Sequence, residues 1–315
     1  MIHHVAEPIS PSSPPSGDLL SPGIALRLGR LAIVARKLVG TRTRGRRRTR
    51  RIGAGIETID LRAYAVGDDP RRIAWHAYAR LERLLVRLVA DEAPLRLTLV
   101  LDQSASMSFA GLEADTESLT KLRQAKRILA GFAAVALGGE DRVALAAGSS
   151  TSAIGHRAVT GRNGLGRILT MLEPLDARGK TDLPRAVRAA LDAAPGRGVC
   201  VIASDLFEPD IALAGAREAH RRGQDVVLVE VLTPFEIAPP DLTGYDLEDE
   251  ETGELVELDE RGTHERYAAA LADHQRSIDE AARSIGAIVV RTSTAEPFEA
   301  IVTRALGAGV LGGAR

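Results

Sequence analysis

One apolar stretch of the chain is followed by side chains whose oxygens can bind a metal ion. Asp102, Ser104 and Ser106 lie in the run Leu101-Asp-Gln-Ser-Ala-Ser-Met107. Their two-residue spacing can bring both serine hydroxyls to the same side as the carboxylate. An all-oxygen set suits a hard cation, and Mg²⁺ is the first choice because it accepts few protein ligands and keeps several waters, with Mn²⁺ as the second. Taken singly, each residue could equally close a turn or cap a helix.

Two other segments place oxygen side chains where the same site needs them. Thr181, in Gly179-Lys-Thr-Asp-Leu183, precedes a predicted helix, and Asp205 follows the apolar run Val199–Ala203. Alone, Thr181 or Asp182 would be a helix N-cap, and Asp205 would cap the next helix. Ligands of open α/β sheets collect outside the carboxyl ends of the strands, where these loops should meet. The predicted metal site therefore consists of Asp102, Ser104, Ser106, Thr181 and Asp205.

From residue 95 onward, short aliphatic runs alternate with helical patterns, which predicts an α/β fold with a mainly parallel sheet covered by helices. The predicted strands are Leu95–Leu101, Arg142–Ala147, Ala153–Val159, Gly198–Ala203, Val226–Leu232 and Ala287–Arg291. The predicted helices are Leu119–Ala136, Leu165–Leu172, Leu183–Ala193, Ile211–Arg222 and His264–Ser284. The second and third strands lack an intervening helix and should form an antiparallel hairpin at the sheet edge. A second hairpin is predicted at Tyr245–Glu260.

In motif order and strand order, this stretch resembles von Willebrand factor A-like domains, which are doubly wound, with a metal-ion-dependent adhesion site. The resemblance implies that the serines, the threonine and the aspartates hold Mg²⁺ directly or through water. It also implies that a carboxylate from a binding partner completes the metal shell. Two carboxylates and three neutral hydroxyls would leave the ion with residual positive charge and an open position, which should attract an Asp or Glu of a partner.

The residues before this domain carry a closer likeness. Four short segments resemble the front motif of the bacterial domain-of-unknown-function family 58 (DUF58): Gly53–Glu57, Leu61–Tyr64, Gly67–Trp75 and Ala79-Arg80. The likeness extends from about Arg46 to near the C-terminus. Three positions depart from the family pattern: Thr58, Ala74 and Tyr78.

Family membership implies a partner. DUF58 proteins are commonly linked with MoxR-type AAA+ ATPases, in a pairing thought to serve protein assembly, maturation or stress responses. Many members also have two N-terminal membrane helices, which are not found in this sequence, so the resemblance implies a short soluble form.

The front motif has its own candidate partner-binding residues. They are Arg62, Asp68, Asp69, Arg71, Arg72, Trp75 and Arg80. The favoured interpretation is structural: a platform strand and a charged turn, with Arg62 or Arg80 paired to Asp68 or Asp69. A surface that docks a partner is the alternative.

Charge and composition divide the 315-residue chain into an acidic body and a basic front. Residues 1–90 contain 17 Arg and Lys against 7 Asp and Glu, whereas the remainder contains 24 against 35. Three regions are predicted: a disordered Pro/Ser-rich tail at 1–22, a basic region at 23–93 that begins with an amphipathic helix to Val39, and the von Willebrand factor A-like domain at 94–315. The hairpin inserted into this domain at 241–260 contains ten acidic residues and no basic residue.

The sequence also bears on disulfides and membrane spans. The single cysteine, Cys200, excludes an internal disulfide, and no segment reaches the ~18 apolar residues of a membrane span. We expect a cytoplasmic protein.

Two other functions are compatible with parts of the sequence. The Arg42–Arg51 cluster could bind nucleic acid or an anionic membrane surface, although it lacks aromatic residues for base stacking. A metal-dependent phosphohydrolase could use Asp102 as its nucleophile, but such enzymes would need a second Asp where Ser104 stands. The sequence therefore favours a non-catalytic, Mg²⁺-dependent protein-protein interaction module, an adaptor of a MoxR-type AAA+ ATPase that binds an acidic partner residue.

Overall fold

The computed structural model describes residues 19–21, 23–25, 27–28, 58–89, 94–111, 119–161, 163–240, 246–248, 255–257 and 263–309. The chain divides into a main unit, residues 1–39 with 95–314, and a smaller unit, residues 40–94. In chain order the strands are β1 (Thr58–Ala63), β2 (Leu85–Val89), β3 (Arg96–Asp102), β4 (Arg142–Gly148), β5 (Ala153–Gly155), β6 (Gly198–Ser204), β7 (Gln224–Leu232), β8 (Asp246–Glu248), β9 (Leu255–Glu257) and β10 (Ile288–Ser293). The helices are α1 (Trp75–Leu81), α2 (Lys121–Gly138), α3 (Gly164–Leu172), α4 (Leu183–Ala193), α5 (Pro209–Arg221), α6 (Pro234–Ile237), α7 (Thr263–Ser284) and α8 (Phe298–Gly307).

A six-stranded sheet forms the centre of the main unit, with the order β10-β7-β6-β3-β4-β5. All neighbouring strands are parallel except β5, which pairs antiparallel with β4 at the edge. The order reverses between β3 and β6, so the loops after these two strands diverge and leave a crevice at their carboxyl ends. This is the doubly wound topology of von Willebrand factor A-like domains, and the predicted fold class is confirmed.

Helices cover both faces of this sheet. On one face, α2 and α8 pack with Phe132 and Phe298 against the strands, and on the other face α4, α5 and α7 bury residues such as Val187 and Ile278. The central strands β3 and β6 are buried on both sides, which explains why their sequences are nearly continuous apolar runs. Cys200 lies fully buried among them, as expected of a small hydrophobe.

The predicted strands and helices of the main unit all occur, with ends shifted by a few residues. The largest shift concerns β5, which ends at Gly155, after which a single bridge joins Val143 to Val159. The predicted acidic hairpin is present as the antiparallel pair β8 and β9. Sequence patterns had not predicted α8, although Phe298, Ile301, Val302 and Ala305 follow helical spacing and are all buried.

The predicted boundaries near the N-terminus are wrong. Leu19 and Leu20 were assigned to a disordered tail, yet both are buried in the core of the main unit. Residues 23–25 and 27–28 are helical, and Leu28 packs against α2, so this segment belongs to the main unit rather than to a single region spanning 23–93. The rest of the predicted tail and helix, and the Arg42–Arg51 cluster, lie outside the described residues.

The smaller unit is built on an antiparallel pair, β1 and β2, joined by a charged turn and α1. The sequence predicted only a strand and a turn here, so α1 was missed. Every residue of α1 is at least partly exposed. None of the described helices in either unit is long and apolar enough to cross a membrane.

Candidate metal centre

The carboxyl ends of β3 and β6 bring the predicted ligands to one edge of the sheet. Asp102 is the last residue of β3, and a 3-10 turn, Ala105–Ser108, follows it. The backbone N–H of Ala105 donates to the carbonyl of Gly179 at 2.8 Å, which ties this turn to the loop before α4. The site loops are therefore fixed to each other by main-chain hydrogen bonds.

Hydroxyl groups from three loops surround the Asp102 carboxylate. One carboxylate oxygen, Oδ2, accepts hydrogen bonds from Ser204 Oγ at 2.7 Å and from Thr181 Oγ1 at 3.4 Å. The other oxygen, Oδ1, accepts from the backbone N–H of Ser104 at 2.9 Å. The Oγ atoms of Ser104 and Ser106 are 3.1 Å apart. Asp102 and Ser104 are buried while Ser106 is partly exposed, so this oxygen set opens to the surface beside Ser106.

The electrostatics of Asp102 indicate uncompensated negative charge. Burial, followed by repulsion from Asp205, raises the pKa of Asp102 to about 7, although hydrogen bonds from Ser204 and Ser104 act in the opposite direction. A carboxylate whose ionisation is this costly is stabilised by a nearby cation. The site therefore favours binding of a positive charge.

Asp205, the fifth predicted ligand, is engaged by a buried lysine. Lys121 Nζ donates to Asp205 Oδ2 at 2.8 Å and to Glu236 Oε1 at 2.7 Å. The other carboxylate oxygen of Glu236 accepts from the backbone N–H and the hydroxyl of Thr233. Burial lowers the pKa of Lys121, but attraction by Asp205 and Glu236 outweighs this and raises it overall. Lys121 is thus a buried cation beside the oxygen set of Asp102, Ser104, Ser106 and Thr181.

The capping alternatives are resolved differently for the two loops. Asp182 accepts from the backbone N–H of Arg185 at 3.1 Å and is the N-cap of α4, so the Thr181 hydroxyl is not used for capping. The helix after Asp205 has Glu208 at its N-cap position, so Asp205 does not cap it. The side chains of Thr181 and Asp205 face the candidate site instead.

The oxygen set suits a hard divalent cation. Three carboxyl groups, Asp102, Asp205 and Glu236, lie around one ammonium, Lys121, so their full ionisation would give a formal surplus of two negative charges. Within the described part of the chain, no group of three or more His, Cys, Asp or Glu side chains could hold a metal. A site at this edge would therefore depend on hydroxyl oxygens, which suit Mg²⁺ and do not suit zinc.

Sequence reasoning missed Lys121, Glu236 and Ser204. Two signals could have found the first pair: Thr233-Pro-Phe-Glu236 has the spacing of a capping box, and only 4 of the 41 basic residues are lysine. At Lys121 the compact ammonium bonds two carboxylates at once.

The charged turn of the smaller unit pairs locally. Arg62 makes a bidentate contact with Asp68, with Nη1 to Oδ2 at 2.8 Å and Nη2 to Oδ1 at 2.5 Å. Asp69 accepts from the backbone N–H of Arg71 and caps the short 3-10 helix Pro70–Arg72. Arg62 and Asp68 thus form one of the pairs that the structural interpretation expects, whereas Asp69 caps the turn instead.

The remaining front candidates are on the surface. The Trp75 side chain is 56% exposed and packs edge-on against Tyr78, with ring centroids 6.3 Å apart. Arg71 and Arg80 are exposed, and the side chain of Arg72 lies outside the described residues. A docking role for these residues stays a prediction.

Comparison with known proteins shows which family the chain belongs to. The chain belongs to the family described as "Protein of unknown function DUF58", whose family model matches residues 60–277. It is 29% identical over 307 residues to uncharacterized protein Rv1480 of Mycobacterium tuberculosis (strain ATCC 25618 / H37Rv) and to uncharacterized protein Mb1516 of Mycobacterium bovis, with 94% of this chain and 93% of each relative covered.

Two solved structures are among those that the chain matches. An aerotolerance-related membrane protein from Bacteroides fragilis is 17% identical, with a TM-score of 0.46, and the match covers 69% of this chain and 98% of that one. The VWA domain of SpRpn10 is 15% identical, with a TM-score of 0.39 and coverage of 67% and 94%. The cytoplasmic location and the ATPase partner stay predictions.

Proposed function

We propose that this protein is a Mg²⁺-dependent protein-protein interaction module without catalysis of its own. One observation is central: the hydroxyls of Ser204 and Thr181 and the backbone N–H of Ser104 converge on the buried Asp102 carboxylate at the carboxyl edge of the sheet. Ser104, Ser106 and Thr181 would hold the ion together with Asp102. Mn²⁺ would fit the same oxygens.

The partner group follows from the charges. When bound, the ion supplies a Lewis-acidic position that accepts a carboxylate. Lys121 Nζ lies 2.8 Å from Asp205 Oδ2, whereas the Asp102 carboxylate accepts hydrogen bonds from the neutral hydroxyls of Ser204 and Thr181. Ser204 orients Asp102 through its 2.7 Å hydrogen bond. These residues favour capture of an Asp or Glu side chain from a partner protein.

The geometry argues against the phosphohydrolase alternative. A nucleophilic aspartate must reach its substrate, whereas Asp102 is fully buried and both of its oxygens accept hydrogen bonds. Ser104, at the position of the second Asp of such enzymes, lies against Ser106. This arrangement therefore favours ligand binding over covalent catalysis.

The family supplies a candidate for the partner. Because DUF58 proteins are commonly linked with MoxR-type AAA+ ATPases, we propose an adaptor role beside such an ATPase in protein assembly or maturation. The ATPase or its client would provide the acidic residue.

Two serines of one turn give a matched test. Ser106→Ala removes a candidate ligand hydroxyl, whereas Ser108→Ala removes an exposed hydroxyl that donates to the Ala105 carbonyl. Calorimetric titration of the full chain with Mg²⁺ should show affinity at least about tenfold lower for Ser106→Ala, in the range typical of lost site residues, and unchanged within about twofold for Ser108→Ala.

Partner capture tests the second half of the proposal. Pull-down from a bacterial lysate should yield partners that are released by a chelator and lost with Asp102→Ala, while circular dichroism of that variant stays that of a folded protein. Capture of the same partners with and without Mg²⁺ would contradict the proposal. Equal Mg²⁺ affinity of the two serine variants would also contradict it.

A further inference from the structure

Apolar side chains lie directly beside the candidate metal centre in an otherwise aromatic-poor chain. Of the five phenylalanines in the sequence, three are at this edge: Phe109, Phe207 and Phe235. The Phe109 and Phe235 rings meet edge-on with centroids 5.9 Å apart. Together with Ile237 they form what is called here the apolar rim.

The apolar rim is built from the same loops as the oxygen set. The backbone N–H of Phe109 donates to the carbonyl of Ser106, and the backbone N–H of Phe207 donates to Asp205 Oδ1 at 3.4 Å. Lys121 Nζ lies 4.6 Å from the centroid of the Phe207 ring and 5.9 Å from that of Phe109. The lysine that holds Asp205 therefore also supports the rings, through cation–π contacts.

Exposure distinguishes the apolar rim from ordinary core packing. Phe207 is 41% exposed and Ile237 is 47% exposed, while Phe109 and Phe235 are half-buried. Within the described part of the main unit, the large apolar side chains that are exposed are these two and Ile154, which lies in β5 at the far edge of the sheet. Exposed apolar area concentrated beside a polar site is typical of an interaction surface.

We infer that the partner segment bound at this site presents a large apolar side chain within two residues of its metal-binding carboxylate. The inference rests on the proposed function and adds the partner's chemistry. In an extended segment each residue advances about 3.3 Å and alternate side chains share a face, so a carboxylate at one position and an apolar group two positions away can meet the ion and the apolar rim together. The surface thus fits an acidic-apolar sequence in an extended partner chain.

Synthetic peptides give the test. An array of Gly/Ser peptides would carry one central Asp or Glu, with Leu, Phe, Ala or Lys placed one or two residues away, and would be probed with the full chain in Mg²⁺ and in chelator. Peptides with Leu or Phe two residues from the acid should bind roughly tenfold more tightly than those with Ala, the gain expected from burying one large apolar side chain.

Variants assign that preference to the apolar rim. Phe207→Ala should reduce the preference for Leu over Ala to about twofold or less while Mg²⁺-dependent binding of acidic peptides remains, and Phe207→Leu should retain most of it. Ile154→Ala changes a similarly exposed apolar residue of the edge strand β5 and should leave the preference unchanged. If Phe207→Ala fails to fold, Ile237→Ala serves in its place.

The outcomes separate this inference from the proposed function. Mg²⁺-dependent binding with no preference for an apolar neighbour would overturn the inference and leave the proposed function intact. Binding of no acidic peptide in Mg²⁺ would overturn both. A wild-type dimer that becomes monomeric in Phe207→Ala, measured by light scattering, would show that the apolar rim binds a second copy and would also overturn the inference.

Discussion

At the scale of single residues, Lys121 determines how much charge the candidate site contains. The Lys121 side chain is 1% exposed, and its ammonium bonds two carboxylates, Asp205 and Glu236. Removing one member of a buried ion network leaves its partners charged and uncompensated. The same ammonium also repels any cation that binds nearby. Stability without metal and affinity for metal should therefore change in opposite directions when Lys121 is lost.

Lys121→Met is expected to lower the free energy of unfolding in chelator by about 3–5 kcal/mol. Mg²⁺ affinity is expected to rise by about tenfold or more, because Asp205 is released to the ion and a nearby positive charge disappears. Chemical denaturation with and without Mg²⁺, together with calorimetry, measures both quantities.

Lys126→Met is the matched control on the same helix. Lys126 is also buried, but its Nζ donates to the backbone carbonyl of Glu173 at 3.0 Å. Its replacement should cost about 1–3 kcal/mol, the penalty of one unpaired buried acceptor, and leave Mg²⁺ affinity unchanged. Equal Mg²⁺ affinity in the two variants would contradict the role assigned to Lys121.

The oxygen set could be predicted from sequence because each of its residues lies within a short local motif. Asp102, Ser104 and Ser106 are neighbours, and the carboxyl edge of a parallel sheet gathers Thr181 to them. The Lys121 network could not be predicted in this way, since its two ion pairs join residues 84 and 115 positions apart, and no local pattern records which carboxylate a buried lysine will meet.

At the scale of elements, the position of α4 determines where Thr181 lies. The helix passes β5 so closely that a Cβ atom added to Gly155 would be 2.1 Å from the carbonyl oxygen of Ala189. No side chain fits at that distance, so the helix or the strand must move. Because Asp182 caps α4, a displaced helix would shift Thr181 away from Asp102.

Gly155→Ala is therefore expected to lower the free energy of unfolding by about 1–3 kcal/mol, as overpacking does, and to weaken Mg²⁺ binding by about tenfold. Gly166→Ala in α3 is the control, because an added Cβ there meets nothing within 4 Å and should stabilise the helix by about 0.5–1 kcal/mol. Mg²⁺ titration and thermal denaturation compare the two variants. A Gly155→Ala protein that binds Mg²⁺ as tightly as the wild type would show that α4 does not position Thr181.

Elements with a buried face were the ones that sequence patterns could identify. The runs of β3 and β6 are apolar because both faces are covered, and α4 has buried residues at regular spacing. By contrast, α1 is seven residues long, lacks a side-chain N-cap and exposes all of its residues, so burial leaves no periodic signal in its sequence. The backbone N–H of Ala74, the residue before α1, donates to the carbonyl of Leu85 in β2 and so joins the helix to the hairpin.

At the scale of the whole molecule, the metal should act on one unit only. All candidate ligands belong to the main unit, and a ligand stabilises only the folded structure that binds it, by about 2.7 kcal/mol at a concentration 100 times its dissociation constant. Trp75, the single tryptophan of the sequence, lies in the smaller unit, whereas most of the described helical residues lie in the main unit. Tryptophan fluorescence and far-ultraviolet circular dichroism therefore report on different units of the same chain.

Mg²⁺ at that concentration is expected to raise the melting temperature measured by circular dichroism by about 5–10 °C, given a shift of roughly 2–4 °C per kcal/mol for a unit of this size. The transition measured by Trp75 fluorescence should stay where it was in chelator. Asp102→Ala should abolish the first shift, because its carboxylate is the centre of the oxygen set. A common shift of both transitions would mean that the two units unfold as one cooperative body, and a Mg²⁺ effect that survives Asp102→Ala would place the ion elsewhere in the chain.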